Sequence, residues 1–260
     1  MTAAAPARRA RPGNFAAATV GLGALAAFLL AAEILIQIGV VNRFIVPPPS
    51  EIIGSFGRVI VEENVFGRFL LTLTECLTAG VMLTVFGVAG GVLMHRFKLL
   101  QQACETWVAA MASAPIVLMY PLFLVIFGRN AWTIIMMGFF AALPPVILKT
   151  IEGIAGTRKV LVNVGRSFNL NATQQFWKIL FPAALPTIFV GLRLGLIFAL
   201  INIVGVEFLI NFGGLGQLIN ELAERYDLAG TYAAICFVIL VSIVFFMALE
   251  KAERWLRPVD

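Results

Sequence analysis

A single histidine, His95, and three cysteines, Cys76, Cys104 and Cys236, are the whole supply of imidazole and thiol in this chain. With no second histidine there is no HExxH metal site and little scope for His-based catalysis, so His95 reads as an interfacial loop residue. The cysteines are odd in number, lie in or beside apolar runs and lack CxxC spacing, which excludes a disulfide framework and a thiolate zinc site. A P-loop is also excluded, because its lysine must follow a glycine. The lysines here are Lys98, Lys149, Lys159, Lys178 and Lys251, and none does. What remains is a set of ionisable residues in apolar surroundings: Glu33, Glu75, Arg193 and Glu207. Inside a bilayer such groups are expensive and face a cavity, a pathway or a partner. Glu33, Glu75 and Glu207 are therefore candidates for a translocation pathway. Glu33 and Glu75 have the alternative of bonding a neighbouring helix, and Glu207 that of anchoring the glycine turn at Gly213–Gly216. Arg193 reads as a packing or orienting residue whose stem reaches the interface.

The elements that must hold these residues follow from composition. Of 260 residues 60% are hydrophobic and 13% charged, with a mean hydropathy of +0.95, whereas soluble domains carry about 25% charge. The fold class is all-α integral membrane. Spans are expected at about 14–41, 69–94, 105–128, 130–149, 183–210 and 228–250, each long enough for a helix to cross. They form one transmembrane domain over 14–257, preceded by a tail at 1–13, and leave no room for a large extramembrane domain. The first apolar stretch is too long for a signal peptide and reads as an uncleaved span. Pro115, Pro121, Pro144 and Pro145 are expected to interrupt the third and fourth spans, and Pro115 and Pro121 to line the pathway, as broken helices do in transporters. The net charge of +5 forms no aromatic-interleaved patch, so nucleic acid is not an expected partner.

Orientation follows from the loops. If they alternate sides, 13 of the 19 Lys and Arg fall on one side and 5 on the other, which puts both termini in the cytoplasm. On the outer side, Pro47-Pro-Pro-Ser50 stops one element and starts another, predicting a short surface helix from Glu51 to Val61. On the inner side the loop between spans four and five runs some thirty residues and must be used for something. Leu161, Val164 and Phe168 share one helical face, Asn169 suits a left-handed stop, and Asn171 with Gln174 has capping-box spacing. The pattern predicts helix, turn, helix over 160–180, either lying on lipid or docking a cytoplasmic partner.

This loop resembles that of the permease subunits of binding-protein-dependent ABC importers, in the branch that handles nitrate, sulfonates, taurine, bicarbonate and vitamin precursors. The family pattern is Glu-Ala-Ala, three residues, Gly, nine residues, Ile-x-Leu-Pro. The same spacing falls on Asn163, Val164 and Gly165, then Asn169, then Ile179, Phe181 and Pro182. Asn163 thus replaces the glutamate and Asn169 the glycine. Further landmarks follow in order at Pro182–Pro186, Gly191-Leu-Arg193, Val206-Glu207 and Gly214-Leu-Gly216, with Pro47–Ser50, Thr72-Leu73, Pro115, Pro121 and Phe127-Gly128 upstream.

The resemblance implies a six-span type I ABC importer permease with cytoplasmic coupling helices between spans four and five, in a bacterial inner membrane. It implies a second permease copy, a dimer of ATPase subunits carrying ATP and Mg, and an external substrate-binding protein. This chain would itself bind no cofactor and catalyse nothing. The ATPase would dock on Leu161, Asn163, Val164, Gly165, Phe168, Asn169, Ile179 and Pro182. Two GxxxG pairs, Gly87/Gly91 and Gly191/Gly195, permit close helix approach, within the chain or as a seam between copies. A stand-alone secondary transporter or channel is the alternative reading, weakened by few intramembrane carboxylates and no visible inverted repeat. An intramembrane enzyme is weaker still.

Overall fold

The computed structural model describes residues 14–256; the tail 1–13, with Arg8, Arg9 and Arg11, and Arg257 lie outside the described residues. Every described element is helical. The first is α1 (Asn14–Gln37), followed by α2 (Pro49–Glu62), which starts with proline in its first turn and Glu51 beside it, favourable there for backbone and dipole alike. Next, α3 (Val65–Met82) passes through a π-helical turn, Leu83–Gly87, into α4 (Val88–Arg96). The chain then forms α5 (Lys98–Ser113), a short 3-10 turn at Ile116–Met119, α6 (Tyr120–Phe127) and α7 (Ala131–Ala155). On the far side of α7 lie α8 (Lys159–Ser167), α9 (Ala172–Gln175) and α10 (Phe181–Ile210), the last two joined by a π-helical turn at Phe176–Leu180. The described chain ends with α11 (Gly214–Glu224) and α12 (Leu228–Leu256). Five of these continuous helices are long and apolar enough to cross a bilayer, and the bent pair α5 and α6 makes a sixth if it is counted as one span.

The prolines do not all act as the sequence suggests. The stretch 105–128 is not one straight span, because α5 and the helix from Ile116 to Phe127 meet at 90°. Ala114 is extended, at φ −77° and ψ 130°, the conformation forced on a residue that precedes proline. Pro121 sits in the first turn of α6, where its missing N–H is no loss, and Pro144 and Pro145 lie inside an unbroken α7. Pro182 likewise fails to end a helix, and Ala172–Ile210 is one run of 39 residues. Its ring would clash with a regular preceding turn and it has no N–H to donate there, and the backbone widens to π geometry over the five residues before Phe181.

At the centre stands α7, the most buried of the apolar helices, with α3, α4 and α10 packed around it. The contact is close because glycines face it. A Cβ on Gly91 would meet the Thr150 Cβ at 2.5 Å, and one on Gly195 the Val146 Cγ2 at 2.6 Å. Gly191 lies equally tight on Lys149, and Gly87 on Val146. Both GxxxG faces are therefore consumed inside the chain, which removes them as a seam between copies. By contrast, α1 presents Leu22, Phe28, Leu30 and Ile34 outward, and no residue of α5 is buried.

Gly91→Leu should lower the unfolding midpoint of the purified chain in detergent, because overpacking costs about 1–3 kcal/mol. Gly54→Leu, where a Cβ would meet nothing within 4 Å, should leave it unchanged. Equal midpoints for the two variants would contradict the packing described.

Candidate functional site

The C-terminal end of α10 is built around Glu207. Past Ile210 the backbone enters the left-handed region at Asn211 (φ 52°), then turns through Gly213 (φ 71°) and Gly214 (φ 77°) into α11. Arg129 fastens this turn by donating to the carbonyls of Ile210 and Asn211. The Glu207 side chain is 0% exposed. It accepts from Thr72 Oγ1 at 2.7 Å and from the Gly216 N–H at 2.8 Å, while Thr72 Oγ1 accepts from the Leu215 N–H at 3.0 Å. A negative group here also meets the positive end of the α11 dipole. A Cβ on Gly214 would collide with the Glu207 carboxylate, so glycine is required for space as well as for φ. Of the two roles open to Glu207, this geometry supplies the partners of an anchor.

Glu75 lies one turn along α3 from Thr72, buried at 3% exposure, with no donor to either carboxyl oxygen. Its carboxyl faces that of Glu207, and neither has an ion-pair partner among the described residues.

Ion pairs brace the surface around this anchor. Arg68 holds Glu221 at 2.6 Å, Arg225 holds Glu63 at 2.7 Å, and Arg58 holds Asp227 at 2.5 Å. Burial pushes the Asp227 carboxyl up, but hydrogen bonds from Arg58 and the Gly230 N–H outweigh it and keep the group below its ordinary value. Glu33 joins α1 to α2, accepting from the Ser50 N–H at 3.1 Å and Ser50 Oγ at 2.8 Å. Pro115 and Pro121 are exposed at the bend between α5 and α6. Arg193 pairs with Glu253 at 2.9 Å and lies over the Phe246 ring, tying α10 to α12.

In the loop after α7, α8 ends in a Schellman turn: the Asn169 N–H reaches the Arg166 carbonyl and the Leu170 N–H the Gly165 carbonyl, with Asn169 at φ 49°. Asparagine is among the few residues with a Cβ that tolerate this conformation. Asn171 then caps the next helix, with reciprocal bonds to Gln174 at 2.8 and 3.1 Å. Gly165 is buried, and a Cβ there would meet Ile179 Cδ1 at 2.6 Å. Gln175 adds a hydrogen bond to the Val162 carbonyl. Gly165 and Ile179 thus face each other across the helix pair, with Leu161 half-buried beside them. Val160, Val164 and Phe168 point outward, Phe168 at 76% exposure, and Asn163 and Pro182 are also exposed. Sequence reasoning assigned no role to Thr72 and no inward role to Gly165, because the partners of both are distant in the chain or across a turn.

Long apolar helices, a capped end of α10 and a braced helix pair after α7 define a polytopic transport subunit of the type I importer permease fold. The structure is similar to a chain of the MetNI methionine ABC transporter in an inward-facing conformation, with a TM-score of 0.66, 75% of this chain and 96% of that chain covered, and 18% identity. The chain belongs to the family described as binding-protein-dependent transport system inner membrane component, whose pattern matches residues 83–258. It is 21% identical over 245 residues to the taurine transport system permease protein TauC of Escherichia coli, covering 92% of this chain and 89% of that protein. It is 26% identical over 222 residues to the putative aliphatic sulfonates transport permease protein SsuC of Bacillus subtilis, covering 85% and 80%. The chain is therefore a multi-pass inner-membrane permease of an ABC importer, a class that works with ATPase and substrate-binding partners.

The anchor makes a quantitative expectation. Thr72→Val and Glu207→Ala should each destabilise the chain by about 1–3 kcal/mol, since each leaves a buried polar group without its partner. The double variant should cost less than the sum. Strict additivity of the unfolding midpoints in detergent would mean that the two side chains do not act together.

Proposed function

We propose that two copies of this permease assemble in the membrane with both termini in the cytoplasm, on a dimer of separate ATPase subunits, and receive substrate from an external binding protein. ATP and Mg bind on the ATPase partner; the absence of a lysine after any glycine in this chain supports that division of labour. The substrate is a small solute of the nitrate, sulfonate, taurine, bicarbonate or vitamin-precursor class. The observation that carries the reading is the inner helix pair. Val160, Val164 and Phe168 form an outward apolar surface on a helix braced from behind by Gly165 against Ile179 and stopped sharply at Asn169. An exposed apolar surface on a rigid support is what a partner needs for a transmitted push. The outward apolar residues of α1 and the unburied α5 leave surface for a second copy or lipid.

Phe168 is the centre of the docking surface, and Gly165 supports it from within. Phe168→Ala should leave membrane insertion intact and weaken copurification of the ATPase by about 10- to 100-fold, the cost of a lost interface anchor. Undiminished ATPase association and uptake in this variant would remove the docking assignment. Orientation is tested separately with single cysteines at Ser167 and Glu224, both exposed. Impermeant thiol reagent added to intact cells should label the second and spare the first. Labelling of both from outside would overturn the cytoplasmic placement of the loop.

A further inference from the structure

A cavity of about 440 Å³ lies where α4 ends, between His95, Arg96 and Lys98 on one side and Thr173, Phe176 and Trp177 on the other. Its location is at the limit of an apolar span, since Val65–Arg96 is the stretch able to cross the bilayer. The three basic residues fall within four positions of the chain. Neither Arg96 nor Lys98 has an ion-pair partner among the described residues, and no acidic side chain lines the cavity. The opposite wall is aromatic: Phe176 and Trp177 stack edge to face at 5.1 Å, and Trp177 is 60% exposed. Exposed Phe97 and Leu99 flank the basic residues.

This wall is distinct from the surface that braces the inner helix pair. Ile179 faces Gly165 on α8 and is not part of the cavity wall, whereas Thr173, Phe176 and Trp177 face the end of α4, and Gln175 borders both. A partner bound on the outward side of α8 leaves the cavity free. Uncompensated positive charge, an apolar wall and a position at the membrane–water boundary are together the chemistry of an anionic lipid site. Basic residues hold the phosphate, and the aromatic ring sits at headgroup level with the first methylenes against it.

We propose that this cavity binds a phosphate group held by Arg96 and Lys98, and that its source is the headgroup of an anionic phospholipid lying against Trp177. Such a lipid would sit between the end of α4 and the helix that carries the inner loop into α10, so the composition of the bilayer would act on the coupling loop itself.

The chain contains four tryptophans, and a Trp107→Phe, Trp132→Phe, Trp255→Phe variant that retains uptake leaves Trp177 as the sole tryptophan. It is reconstituted into vesicles of equal parts phosphatidylglycerol and phosphatidylcholine, with bromine on the acyl chains of one lipid or the other. Brominated phosphatidylglycerol should quench Trp177 more than brominated phosphatidylcholine. Arg96→Gln and Lys98→Gln, both at exposed positions, should reduce that preference about fivefold each, the effect of the ~1 kcal/mol that one basic side chain contributes at an anionic surface. A variant keeping Trp132 in place of Trp177 should show no preference. Millimolar inorganic phosphate should leave the preference standing. If phosphate abolishes it, the phosphate chemistry holds and the lipid source is overturned. Equal quenching by both lipids, an unchanged preference in the Arg96 and Lys98 variants, or the same preference at Trp132 would overturn the site.

Discussion

The close approach of α4 and α10 to α7 is the contact on which the rest of the structure depends. In a bilayer there is no hydrophobic drive between helices, because lipid is as apolar as leucine, and association rests on packing at short range. Gly87, Gly91, Gly191 and Gly195 supply that range by letting side chains of α7 sit where a Cβ would otherwise stand. Thr150, buried at this contact, bonds within its own helix, to the Val146 carbonyl. Once these helices are joined, the positions of both chain reversals at their ends are set.

One helix then connects the two ends. The run Ala172–Ile210 starts in the inner loop, packs on α7 along its middle, and finishes at the Glu207 anchor under the outer glycine turn. A displacement of the inner loop therefore has a stiff path to the outer surface. Two devices interrupt that stiffness near the inner end: the π-helical turn before Pro182 and the Schellman stop at Asn169. The Glu207 end is held by buried hydrogen bonds together with the apolar face of α11, whose Leu215, Leu218 and Leu222 pack with Val59 and Val65. An ordered turn of glycines has few side chains of its own to bury, so its position depends on Glu207, Thr72 and Arg129.

Much of the architecture is readable from residue types. Membrane class, the approximate spans, the surface helix after Pro47, and the stop at Asn169 with its cap at Asn171 all follow from local composition and spacing, because each depends on neighbours a few residues away. Prolines were less legible. Pro115, Pro121, Pro144, Pro145 and Pro182 are chemically alike, yet only Pro115 marks a 90° break. A proline's effect depends on whether its first-turn position, its neighbours or a widened helical turn absorbs the missing N–H, and surrounding helices decide that.

The sequence by itself determined that this is an all-α membrane protein, since that class needs only spacing and hydropathy. It also carried the helix-turn-helix of the inner loop, because caps and left-handed stops are local. Tertiary structure alone decided which surface each residue serves. Gly165 turns inward to Ile179 while Phe168 turns out, both glycine pairs close on α7, and Glu207 meets Thr72 from 135 residues away. These are pairings between distant segments, and helical periodicity constrains only the face on which a residue lies, never the partner that will cover it.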